Sequence, residues 1–191
     1  MGLIFDIVDG IMGARKAVKQ KNAEKDDSVN SVTVENRYSI DVPSFLSPTN
    51  KLSADAALQY WSKTLDISFQ VIDEPKFEFV ESIQELREED PDFGKGETLL
   101  DMMSSVCLNT IFDDIDKVEI GNYENTTING LPAVTLNAFQ KRTFFKDALY
   151  GSFAFIEGRE TLYQIMIFSG GESIEKLADK LERSIKSFKE L

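Results

Sequence analysis

Histidine is absent from all 191 residues. Its absence removes Ser-His-Asp and Cys-His nucleophile systems, HExxH zinc sites and every ordinary imidazole proton relay. Cysteine occurs once, as Cys107, so no intramolecular disulfide can form and nothing calls for an oxidising compartment. Long apolar runs are also missing: a membrane-spanning helix needs about 20 mostly apolar residues, and the chain has no such stretch. Basic charge is scarce, with 21 Lys and Arg against 33 Asp and Glu and a net charge of -12. Phosphate binding needs a basic patch to release counterions, so nucleic acid is not an expected partner. Residues 1–21 depart from the trend at +2, which leaves -14 for the rest. The N-terminus has no basic n-region, and Asp6 and Asp9 interrupt its apolar run, so no signal peptide is expected. Asp6 also breaks the myristoylation pattern that Met1-Gly2 begins. The expected location is the cytoplasm.

What the chain does have is 42% hydrophobic residues, including 14 phenylalanines, which suits one domain with an appendage. The strongest element is Tyr150 to Phe168, YGSFAFIEGRETLYQIMIF, two runs rich in aromatic and β-branched residues around the turn Glu157-Gly158-Arg159-Glu160. Both runs are apolar on both faces. Phe153 and Phe155 alternate with Ala154 and Ile156, and Leu162, Met166 and Phe168 alternate with Tyr163, Ile165 and Ile167. Such a hairpin belongs in the middle of a sheet covered on both sides.

Three segments are expected along the chain: an amphipathic helix within 1–18, a polar linker at 19–31 and a domain at 32–191. Ile4, Ile7, Val8, Ile11 and Met12 fall at helical spacing, whereas 19–31 has no periodicity. The helix's apolar face is expected to pack on the domain or on a second copy of the chain. Membrane association through residues 3–18, with Arg15, Lys16 and Lys19 at the headgroups, is a second reading.

Within the domain, strands are expected at Tyr38–Val42, Ala56–Ser62 and Ile67–Ile72, where Tyr60 and Trp61 must face opposite ways. Helices are expected after Pro75, with Phe79, Val80, Ile83 and Leu86 on one face, and over Glu97–Phe112, with Leu99, Met102, Met103, Val106, Cys107 and Ile111 inward. Lys117–Ile128 and Leu131–Arg142 flank Asn129-Gly130, a strong hairpin signal because both positions tolerate positive φ. A final helix is expected over Glu172–Leu191. Tight hairpins make the sheet antiparallel, and two-faced strands need cover on both sides. The fold class is therefore α+β: a three-layer α/β/α sandwich around a mostly antiparallel sheet, with an N-terminal amphipathic helix appended.

The segments YSIDVP (Tyr38–Pro43), TINGLPA (Thr127–Ala133), and FIEG followed by LYQI (Phe155–Gly158, Leu162–Ile165), closed by a C-terminal helix, resemble the PsbP-like family over roughly 37–188. The resemblance implies an α/β/α sandwich and mostly non-enzymatic protein binding. Members are an extrinsic photosystem II subunit, a nuclear import factor that binds the Ran GTPase, and bacterial chaperones of secreted effectors. They use different surfaces, so no binding residue carries over by position.

Reactive constellations are few. Cys107, on the apolar side of a helix, reads as an inert buried thiol. Gly94-Lys95-Gly96-Glu97-Thr98 lacks the P-loop's leading glycine and its Lys-Ser/Thr pair, and so reads as a helix start. Asp113, Asp114, Asp116 and Glu119 lack the EF-hand glycine and suit a solvated acidic turn. No cofactor, metal ligand or catalytic residue is assigned. The expected function is a non-enzymatic protein-binding module that offers a sheet edge or groove to another protein. Its candidate contacts are Tyr60, Trp61 and the helix face Ile4, Val8 and Ile11, and self-association stays open. A lipid or small-ligand carrier lined by Phe139, Phe144, Phe145 and Phe153 is the alternative. A carboxylate-only hydrolase ranks last: Glu157 and Glu160 flank the hairpin turn, where carboxylates are solvated and poorly held for acid-base work, and no catalytic pair is assigned.

Overall fold

A computed structural model describes residues 16–112, 114–141, 148–170 and 173–191. Helix α1 covers 16–25, followed by strands β1 (Val29–Val34), β2 (Tyr38–Pro43), β3 (Ser47–Pro48), β4 (Ala56–Ser62) and β5 (Ile67–Pro75). Helices α2 (Lys76–Glu89) and α3 (Leu99–Ile111) come next, then β6 (Val118–Ile128), β7 (Leu131–Gln140), β8 (Leu149–Glu157) and β9 (Thr161–Ser169). Helix α4 (Ser173–Ser187) and β10 (Lys189–Glu190) close the chain. No helix among the described residues is long and apolar enough to cross a membrane.

The main sheet has seven strands in the order β3-β4-β5-β9-β8-β7-β6, and its ladders are antiparallel. Its centre is the two-faced hairpin. Alternation sends Ala154, Ile156, Tyr163, Ile165 and Ile167 into one core and Phe153, Phe155, Leu162 and Met166 into the other. Helix α3 closes the second core with Leu100, Met103, Cys107 and Leu108. Thr98 caps it: its hydroxyl accepts from Asp101 N while Asp101 accepts from Thr98 N, at 3.2 and 2.9 Å. The Gly94–Thr98 segment is thus a helix start. The inward set is rotated slightly from the expected one, since Leu100 and Leu108 are buried and Val106 is exposed. Helix α2 buries only Ile83.

The opposite layer is mixed rather than helical. The run Tyr38–Val42 leaves the main sheet and sits at the centre of a small antiparallel sheet, β1-β2-β10. One face of β2, Tyr38, Ile40 and Val42, is fully buried beside Leu177, Leu181 and Ile185 of α4, and a strand with one apolar face can lie over a sheet as a helix does. The two-residue β3 takes its place at the main sheet's edge.

Two expected boundaries are corrected. The final helix stops at Ser187, because Phe188 turns inward to stack on Tyr38 at 5.4 Å and to pack at a tilt against Tyr163 at 4.8 Å, and Lys189–Glu190 pairs with β2. Helical spacing ran on through Phe188 only because that ring is buried by another route. The expected linker 19–31 contains most of α1 and the start of β1. Lys, Gln, Ala and Glu are strong helix formers even without an apolar stripe, and polar contacts dock this helix on the domain. Ala23 is buried, Lys19 Nζ donates to Thr64 Oγ1 at 3.2 Å, and Lys180 Nζ donates to Asp26 O at 2.6 Å. Arg183 pairs with Asp27 at 2.8 Å.

Candidate functional site at the open sheet edge

The two edges of the main sheet differ. At one end β3 has two residues, one of them Pro48, so little ladder is left to pair. At the other end β6 runs for 11 residues, most of them exposed, and no strand among the described residues pairs with its outer side. Its sequence, VEIGNYENTTI, explains the exposure: only three of its residues are large aliphatics, too few to bury a face.

A bulge divides β6. Gly121 stands opposite Asn137 and Glu124 opposite Thr135, so Asn122 and Tyr123 share the single partner Leu136. Asn122 takes φ 52°, which asparagine tolerates. The extra residue keeps the faces in phase on both sides of the bulge. Glu119, Gly121, Glu124 and Thr126 face the α4 side, and Val118, Ile120 and Tyr123 face the α3 side.

Tyr123 is fixed on that side by its hydroxyl, which donates to Asp101 in the α3 capping box. That bond holds the Asp101 carboxyl below its ordinary range, while burial together with the same bond pushes the Tyr123 phenol up to about 12. Glu119 is paired with Lys141, whose ammonium it holds above its usual value.

Beside β6 on the α4 side lies a groove. Helix α4 packs mainly on β2 and β9. Thr126, Thr135, Asn137 and Ser152 line the groove's floor, with Asn137 accepting from Ser152 at 2.7 Å. Ala178, Glu182, Ile185 and Lys186 of α4 form its wall, and its volume is about 600 Å³. A second hollow of about 440 Å³ continues it past Asn137, Ser152 and Ala178 to the Phe139–Tyr150 ring stack, 4.3 Å between centroids.

The residues singled out from sequence lie elsewhere. Tyr60 packs on the α4-side core, and Trp61 points the other way into a concavity of about 420 Å³ with Leu52, Ile111, Leu149 and Phe168. Both are in β4, at the far end of the sheet from β6. Ile4, Val8 and Ile11 lie outside the described residues, as do Phe144, Phe145 and Asp113. Phe139 and Phe153 sit on opposite faces of the sheet, so no single cavity takes both. Asp114 is held by Lys117 at 2.5 Å, and no group of three or more metal-ligating side chains occurs among the described residues. Glu157 pairs with Lys76. Cys107 is buried with its sulfur 3.9 Å from that of Met166, and burial pushes its thiol up to about 12. Glu119, Ile120, Tyr123 and Glu124, exposed along the β6 edge, are not among the contact residues singled out from sequence, although the low apolar content of β6 is a readable sign of an edge.

No family model and no curated protein matches the chain. Solved structures do. The solution structure of cyanobacterial PsbP from Synechocystis superposes over 86% of this chain and 93% of its own, at TM-score 0.50 and 11% identity. A protein of unknown function from Pseudomonas aeruginosa matches over 83% of this chain and 94% of its own at TM-score 0.41, also with 11% identity. A protein from Bacteroides thetaiotaomicron matches over 81% of this chain and 45% of its own at TM-score 0.44 and 8% identity. The fold of this chain is PsbP-like. At these identities the likeness concerns the fold alone.

Proposed function

We propose that this protein is a non-enzymatic protein-binding module of a bacterial cytoplasm, and that its working surface is the β6 edge with the groove beside it. One observation carries the reading: the sheet is closed at β3 by brevity and proline, whereas at β6, a long exposed strand, no strand among the described residues pairs with the outer side. An open edge offers a row of backbone donors and acceptors to an extended segment of another chain, which joins the sheet as a further strand. The single buried thiol supports the reducing compartment.

In-cell photo-crosslinking tests the reading. A photoreactive phenylalanine analogue at Ile120 or Tyr123 is expected to give a discrete crosslinked protein. The same group at Phe77, an exposed ring on α2, gives none. Equal yields from all three positions, or none from β6, would overturn the proposal.

A further inference from the structure

The chemistry lining the two sides of β6 points to the class of segment that joins it. An added strand alternates its side chains between the α4 and α3 sides. On the α4 side these fall beside Glu124 and beside Glu119, whose pairing with Lys141 is solvent-exposed, while in the groove wall Glu182 is already paired with Lys186. On the α3 side they fall beside Val118, Ile120 and Tyr123, of which Ile120 is 43% and Tyr123 46% exposed. Strand β6 itself has no basic residue. We infer that the β6 edge recognises an extended segment of alternating basic and apolar residues, the basic ones over Glu119 and Glu124 and the apolar ones over Ile120 and Tyr123. The inference rests on the edge-pairing reading above and names the partner's chemistry.

Cross-strand pairs of opposite charge and of apolar groups both stabilise a ladder. A net charge of -12 adds attraction at longer range for a basic segment. A second copy of this chain fits poorly. In the register centred between Gly121 and Asn122, antiparallel self-pairing sets Glu119 of each copy opposite Glu124 of the other, and like charges opposed in a ladder repel. The bulge also bends the edge away from flat pairing, which selects against indiscriminate addition.

Two synthetic peptides of the length of β6, one alternating lysine with valine and the other glutamate with valine, test the inference against the full chain. Fluorescence anisotropy reports affinity, and amide exchange reports where the peptide lies. The lysine peptide is expected to bind about tenfold more tightly than the glutamate peptide, and to slow exchange in β6 rather than in β1. In Glu124→Lys the preference shrinks or reverses while the fold, followed by circular dichroism, is unchanged. Equal affinities with β6 protected would overturn the charge preference and leave edge pairing standing. Lysine-peptide binding without β6 protection, binding unaffected by Glu124→Lys, or no binding by either peptide would overturn the inference. Crosslinks from Ile120 and Tyr123 would then still decide the broader reading on their own.

Discussion

Asn129 holds φ at 49° in the turn between β6 and β7 while its side-chain amide donates to the carbonyls of Lys186 and Phe188, at 3.1 and 2.6 Å. The Lys186 carbonyl is in the last turn of α4, where a helix leaves its final acceptors unpaired, and the Phe188 carbonyl follows directly after the helix. One residue therefore shapes the hairpin and caps a helix nearly sixty positions away. Asn129→Ala loses both roles. Left-handed backbone costs alanine about 1 kcal/mol and each net hydrogen bond contributes about 1 kcal/mol, so urea denaturation should show a loss of about 2–3 kcal/mol. Asn129→Gly keeps the turn and loses only the bonds, so a smaller loss is expected. Wild-type stability in the glycine variant would remove the capping role.

Among the elements, α1 depends most on charge. Asp26 accepts from the Ser28 hydroxyl and backbone N–H and from Ser44, and these bonds pull its carboxyl down to about 2. Arg183, then Lys180, draw Asp27 down as well. A carboxyl whose folded value is depressed stabilises the fold fully above its ordinary value of 3.8, and the contribution fades as pH falls towards about 2. Amide protection across 16–25 is therefore expected to be lost between about pH 4 and pH 2, before that of β8 and β9. Lys180→Ala should raise exchange in the same helix at neutral pH without touching the hairpin. Protection of α1 that follows the hairpin through both changes would show that packing of Ala23, not the charged contacts, holds the helix.

At the scale of the whole molecule, two cores share one sheet. Strands β7, β8 and β9 contribute residues to both, so neither core survives loss of the other's side of the strands. Unfolding is expected to be a single cooperative transition, with fluorescence of Trp61, the only tryptophan, and far-ultraviolet circular dichroism changing together in urea. Separate midpoints would mean that the small β1-β2-β10 sheet and α4 form an independent unit.

Local patterning in the sequence was enough for the hairpin Tyr150–Phe168, the Asn129-Gly130 turn, helix α3 and the three-layer class, because turn chemistry and apolar alternation act between near neighbours. That Tyr60 and Trp61 face opposite ways needed only the pleat, but which of them meets the α4-side core, and where they lie relative to β6, needed the tertiary structure. The tertiary structure alone decided that Tyr38–Pro43 leaves the main sheet, that Phe188 ends the last helix, and that the segment just after helix 16–25, at Asp26 and Asp27, is held by Lys180 and Arg183. Those outcomes join residues up to about 150 positions apart, and no periodicity records such pairings. The open edge stands between the two cases: the polar character of β6 is written in VEIGNYENTTI, but only the order of strands shows that no neighbour among the described residues lies beyond it.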